Sequence, residues 1–62
     1  MNAPALQVQL SDPEAWALAQ LLKRIGWSQW RALAVDDDEA DAMRSACEQV
    51  SQALAERGYA PR

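Results

Sequence analysis

The sequence contains no histidine and a single cysteine among its 62 residues. Zinc sites are built mainly from cysteine and histidine, so no metal site is predicted. The sequence also lacks a nucleophile-elbow motif and, with only two glycines, a phosphate-cradling glycine loop. We therefore predict a protein that is not an enzyme and that uses no cofactor.

Long apolar runs and an excess of positive charge are also missing. No run approaches the roughly 20 residues that a membrane-spanning helix needs, and no signal-peptide pattern opens the chain. Together with the lone cysteine, these features predict a cytoplasmic protein. The net charge of −3 argues against general binding to nucleic acids and to anionic membranes, because both need a positive field.

The short chain predicts a single domain over residues 1–62. A chain of this length buries only about 60% of its unfolded surface when it folds, so its core is marginal. Since one cysteine cannot form a disulfide within the chain, stability must come from very good helix packing or from a partner subunit.

Residues 37–57 carry the longest helical pattern in the chain. Met43, Cys47, Val50 and Leu54 follow one another at spacings of four, three and four residues, and Ala40 extends the stripe. These spacings place the side chains on one face of an α-helix. The pattern predicts a long helix against which the rest of the chain packs.

Both ends of this helix are marked by capping residues. Asp36 with Glu39 three residues later resembles a capping box. Asp37 and Asp38 fall in or near the first turn, where the helix dipole favours negative charge. Gly58 can adopt the left-handed conformation that ends a helix.

Two further helices are predicted earlier in the chain. Ser11 begins a capping box that starts a helix over 12–25, and Ser28 caps a short helix over 28–34 that contains two tryptophans. The predicted inward face of the first helix consists of Ala15, Leu18, Leu21, Leu22 and Ile25.

Residues 5–10 show an alternating apolar and polar pattern that predicts a β-strand. Its apolar positions are Leu6, Val8 and Leu10. A lone strand leaves its backbone groups unpaired, so it would pair with a second copy of the chain or with a sheet edge of a target. The predicted fold class is therefore mainly α. After frayed residues 1–4 comes a short strand that pairs across a homodimer. Two main helices follow, joined by a short helical corner with tryptophans.

Candidate partner-binding residues lie in two neighbouring stretches. Tryptophan and arginine dominate binding hot spots, and exposed carboxylates suit a basic partner. The structural interpretation, with tryptophans in the core and acids at a helix start, is favoured for both groups. Cys47 is likewise interpreted as a buried thiol. The candidates are Trp27, Trp30, Arg31, Asp37, Asp38 and Asp41.

An alternative interpretation is DNA recognition. Gln7 and Gln9 would face outward from a paired strand, and outward glutamine can read adenine. The order of strand, helix and helix, with the stretch IGWSQWRAL, resembles ribbon-helix-helix repressors. The acidic charge and the extra helix from Asp36 oppose this interpretation.

The stretches LAQLLKRIGW, VDDDEADAM and ALAERGYAPR carry a further resemblance. With them the chain resembles a small family of unknown function carried by phages, plasmids and integrative elements of proteobacteria. The resemblance implies an accessory protein that acts on host or mobile-element machinery, and it assigns no site residues.

The expected function is a non-catalytic protein-binding module. It would be an accessory or inhibitor protein that occludes a surface of its target. A dimeric DNA-binding regulator of ribbon-helix-helix type is the alternative, and an assembly subunit is a third hypothesis.

Overall fold

A computed structural model describes residues 4–61, which form three α-helices. α1 is Asp12–Arg24, α2 is Trp27–Leu33 and α3 is Asp37–Glu56. Each helix begins within one residue of its predicted start and ends one residue before its predicted end. α3 packs against both α1 and α2, and so it has the central position that its long apolar stripe predicts.

The predicted N-terminal strand is wrong. Residues 4–61 contain no strand, and the segment 4–10, called the arm below, has no regular secondary structure. Leu6 is 85% exposed and Val8 is 73% exposed. An alternating pattern forms a strand only where a second strand supplies hydrogen bonds, and no described segment does so. Because the arm is not a strand, the prediction that it pairs as a strand with the same segment of a second copy is also wrong.

α1 begins with the predicted capping box. The Ser11 backbone N–H donates to Glu14 Oε1 at 2.9 Å, and the Glu14 N–H donates to Ser11 Oγ at 3.3 Å. The backbone hydrogen bond, followed by that of the Ser11 hydroxyl, holds the pKa of Glu14 below its ordinary value. This cap fixes the point at which the irregular arm becomes a helix.

α3 ends in a Schellman motif. Gly58 has φ +96°, its N–H donates to the Ala55 carbonyl at 3.0 Å, and the Tyr59 N–H donates to the Leu54 carbonyl at 2.9 Å. Glycine adopts this left-handed conformation without the steric cost of a Cβ atom. The motif turns the chain sharply, so the residues after α3 return toward α1.

The core is very small. Ala15, Ala19, Ala40 and Leu54 are the buried hydrophobic residues of the described chain, and three of the four are alanines. The molecule measures 34 × 30 × 15 Å, and its thinnest dimension is close to the diameter of one helix with its side chains, about 10–12 Å. Such a thin body has almost no interior in which a large side chain can be enclosed.

The predicted inward faces are therefore only partly buried. On α3, Ala40 and Leu54 are buried, Met43 and Cys47 are half-buried, and Val50 is exposed. On α1 the buried positions are both alanines, Leu18 and Leu22 are half-buried, and Leu21 is 56% exposed. Ile25, the residue that follows α1, is half-buried.

Candidate functional site

The predicted corner is formed by α2 and the turn that leads into α3. α2 begins at Trp27, one residue earlier than predicted, because Gly26 rather than Ser28 occupies the N-cap position. The Gly26 backbone N–H donates to Gln29 Oε1 at 2.8 Å. Gln29 thus supplies the side-chain half of a capping box, although Gly26 has no side chain to return the bond.

The two tryptophans of α2 have different environments. Trp27 is exposed at the first position of the helix. Trp30 is half-buried, and its indole Nε1 atom is enclosed without a hydrogen-bond partner among the described residues. Tryptophan usually places this N–H against an acceptor when it is buried. Trp30 therefore contributes to packing, whereas Trp27 is accessible to a partner.

Arg31 is held in place within the corner. Its Nε atom lies 2.6 Å from Asp37 Oδ1, and its terminal nitrogen donates to the Ala34 carbonyl at 3.2 Å. The two contacts connect the end of α2 to the first turn of α3 across the intervening turn. Since both groups are solvent-exposed, the ion pair orients the turn more than it stabilises it.

Most of the acids near the start of α3 also have local partners. Asp36 Oδ1 accepts from the Glu39 N–H at 2.8 Å, and Glu39 Oε1 accepts from the Val35 N–H at 3.1 Å. Asp41 lies 3.5 Å from Arg44. Asp38 has no hydrogen bond or ion pair within the described part of the chain, so its carboxylate is the acid most available to a partner.

Two apolar side chains that the sequence analysis did not single out lie beside these acids. Leu33, the last residue of α2, is 73% exposed, and Val35 in the following turn is 80% exposed. Together with Trp27 and Asp38 they define what we call the corner surface. Leu33 follows Trp27 and Trp30 at steps of three, whereas Val35 belongs to no periodic stripe, and spacing alone does not show that either residue is exposed.

A second accessible region is an apolar groove between the arm, α1 and α3, with a volume of about 640 Å³. Three small side chains from α3 form part of its lining: Ala46, Cys47 and Ala53. Larger apolar side chains surround them: Leu18 and Leu22 from α1, Val50 and Leu54 from α3, and Leu6, Val8 and Leu10 from the arm.

The groove carries little charge. Gln49 and Arg57 are its polar lining residues, and no aspartate or glutamate lines it. The predicted strand residues Leu6, Val8 and Leu10 are thus brought together at this groove through their side chains.

The segment after α3 contacts the start of α1. The Tyr59 hydroxyl donates to Asp12 Oδ1, and the Tyr59 ring packs edge-on against Trp16 with centroids 5.2 Å apart at 77°. We call this contact the clasp. The hydrogen bond to Asp12, followed by partial desolvation and the negative charge of Asp12, raises the pKa of Tyr59 above 10.0. The sequence analysis did not predict the clasp, because nothing in local spacing relates residues 47 positions apart.

A comparison with known protein families matches residues 1–62 to a family of unknown function, DUF7706. The chain belongs to the DUF7706 family. Neither a curated protein nor a solved structure matches it. The match confirms the predicted resemblance to a family of unknown function.

Three features of this DUF7706 chain bear on its chemistry. None of its described helices combines the length and apolar character needed to cross a membrane. Within residues 4–61, no three acidic or thiol side chains lie together as metal ligands would. The candidate partner-binding residues are divided: Arg31 is joined to Asp37, Trp30 is packed, and Trp27 and Asp38 are accessible.

Proposed function

We propose that this DUF7706 protein is a non-catalytic protein-binding module and that it binds its partner through the corner surface. The observation that carries the proposal is the exposure of large apolar side chains within one nine-residue stretch, with Trp27, Leu33 and Val35 all accessible. Single exposed apolar residues are normal on a protein surface, but several within one short segment favour an interaction site.

The charge around these residues indicates the chemistry of the partner. Asp38 is exposed three residues after Val35, and Asp36 and Glu39 add negative charge although they also cap α3. A complementary surface would have an apolar centre with lysine or arginine at its rim. The acids would speed association, whereas the apolar side chains would supply most of the binding free energy.

The resemblance noted in the sequence supports a more specific role. We propose that the partner belongs to the machinery of a host cell or of a mobile element, and that the protein acts as an accessory or inhibitor by covering a surface of it. The small size suits this role, because occlusion requires only a stable face and no catalytic group.

The proposal is tested by affinity capture with matched variants. Leu33→Ser together with Val35→Ser removes the two aliphatic side chains of the corner surface, and Leu21→Ser removes a leucine that is 56% exposed and lies outside both the corner surface and the groove. We expect the parent and Leu21→Ser to capture the same protein, and the double variant to lose it while its circular dichroism spectrum stays unchanged.

Two results would contradict this proposal. Undiminished capture by the folded double variant would remove the corner surface from the interaction. Retention of the parent on duplex DNA, weakening steeply with added salt, would instead favour the DNA-binding alternative.

A further inference from the structure

Much of the apolar surface in the groove is not covered by the rest of the chain. Only Leu54 among its larger side chains is buried, while Leu18, Leu22 and Val50 are accessible to different degrees. A core of three alanines and one leucine is small even for a chain of this length. Covering the groove would therefore add apolar burial that the single chain does not achieve.

The groove face contains both large and small apolar side chains. Leu6 and Val8 on the arm are highly exposed, and the small side chains of Ala46 and Ala53 line the same groove. When large exposed side chains and small ones share one face, two copies related by a two-fold axis can each pack the large side chains against the small ones of the other. Shape therefore makes the face suited to contact with itself.

The distribution of charge also favours contact between two copies of this face. The chain has nine acidic residues and a net charge of −3, yet none of the acids lines the groove. Two copies can thus meet at this face without bringing carboxylates from the groove into contact. At the more acidic faces, repulsion between the like-charged molecules would oppose such a contact. A basic partner, by contrast, would be directed to the acidic corner surface and away from the groove.

We infer that the occupant of the groove is the groove face of a second copy of this chain, packed about a two-fold axis. Each copy places Leu6 and Val8 against α3 of the other. A standard interface buries about 800 Å² per partner, or about 15% of the 5274 Å² surface of this chain. The contact is made by side chains and needs no β-ladder, and it is independent of the binding proposed for the corner surface.

The inference is tested by sedimentation equilibrium with three matched lysine substitutions. Val8→Lys and Ala46→Lys place a charge in the groove, and Leu21→Lys places the same charge on an exposed leucine outside it. The parent and Leu21→Lys are expected to sediment as dimers at high micromolar concentration. The two groove variants should dissociate at least about a hundredfold more readily, because a symmetric dimer would bury the unpaired ammonium twice.

The position of the contact is tested by nuclear magnetic resonance on a mixture of labelled and unlabelled chains. Intermolecular contacts are expected between the methyl groups of Val8 in one copy and Ala46 in the other. A parent that stays one chain per particle, or a dimer that withstands Val8→Lys, overturns the inference. Because residue 8 lies outside every helix, Val8→Lys remains informative even if Ala46→Lys fails to fold.

Discussion

At the scale of single residues, the polar side-chain contacts among the described residues join partners at most six positions apart, with the clasp as the exception. The other side-chain hydrogen bonds among the described residues join partners no more than four positions apart. Tyr59 is the one tyrosine of the chain, so its ionisation can be followed by ultraviolet absorbance without assignment. The clasp therefore has a direct spectroscopic readout.

We expect Asp12→Asn to lower the pKa of Tyr59 toward 10.0, because it removes the carboxylate that accepts the phenolic hydrogen bond. The measurement is a pH titration of phenolate absorbance in the parent and the variant. Identical titration curves would show that the clasp is not formed in solution.

The raised pKa of Tyr59 makes the stability of the folded protein depend on pH. The folded-state pKa of Tyr59 is raised above the unfolded value, so the stabilisation is fully present below pH 10.0 and is lost as pH rises through the folded-state pKa. In Tyr59→Phe this alkaline loss should disappear. The variant keeps the ring that packs on Trp16, and therefore serves as the matched control for packing.

At the scale of helices, the two glycines have different roles. Gly58→Ala is expected to destabilise the protein by about 1–2 kcal/mol, the cost of placing a side chain in the left-handed region. An added Cβ at residue 58 meets no atom within 4 Å, so this cost comes from the backbone alone. Chemical denaturation monitored by circular dichroism measures it.

Gly26→Ala is the matched control. Gly26 has φ −133°, which any residue can adopt, and an added Cβ would lie 3.3 Å from the movable Oε1 of Gln29. We expect a smaller loss, under about 1 kcal/mol, from the weaker capping ability of alanine. If the two variants unfold at the same denaturant concentration, the left-handed turn after α3 does not limit stability.

The helices could be predicted from the sequence because their signals are local. Ser11, Asp36 and Gly58 each act within one turn of chain, and all three occupy the capping positions predicted for them. The arm could not be predicted, because its alternating pattern describes side chains and does not reveal whether a second strand is present. The predicted inward stripes identified Leu54 as core but did not show that Val50 stays exposed, because spacing does not reveal which positions the rest of the chain covers.

The candidate site was only partly predictable. Trp27 and Asp38 were singled out by residue type, and their accessibility leaves both as candidates. Leu33 and Val35 became candidates only through their exposure, which depends on what the rest of the chain fails to cover. Ion pairing of Arg31 with Asp37 is likewise a property of the turn geometry and not of residue spacing.

At the scale of the whole molecule, the thin shape concentrates stability in a few side chains. Leu54→Ala is expected to cost about 2–5 kcal/mol, since Leu54 is the largest buried side chain among the described residues. The total stability expected for 62 residues is about 3–9 kcal/mol at about 0.05–0.15 kcal/mol per residue. This single substitution should therefore leave a large fraction of chains unfolded.

Leu21→Ala removes the same atoms from an exposed site on α1 and should change the free energy of unfolding by less than about 0.5 kcal/mol. Thermal melting of both variants at low micromolar concentration provides the comparison. Equal melting temperatures for Leu54→Ala and Leu21→Ala would contradict the packing of α1 against α3 described above.

The clasp also determines the order in which the chain can assemble. Asp12 and Tyr59 enclose nearly the whole folded sequence, so joining them closes a loop of 47 residues. The entropy lost in closing such a loop is regained only after the helices between have docked, which makes this contact a late event in folding. By the same geometry we expect it to be the first contact to open. A protease acting on the native protein would then find the segment after α3 accessible while α1 and α3 remain packed, and cleavage before Tyr59 would leave the three helices without the clasp.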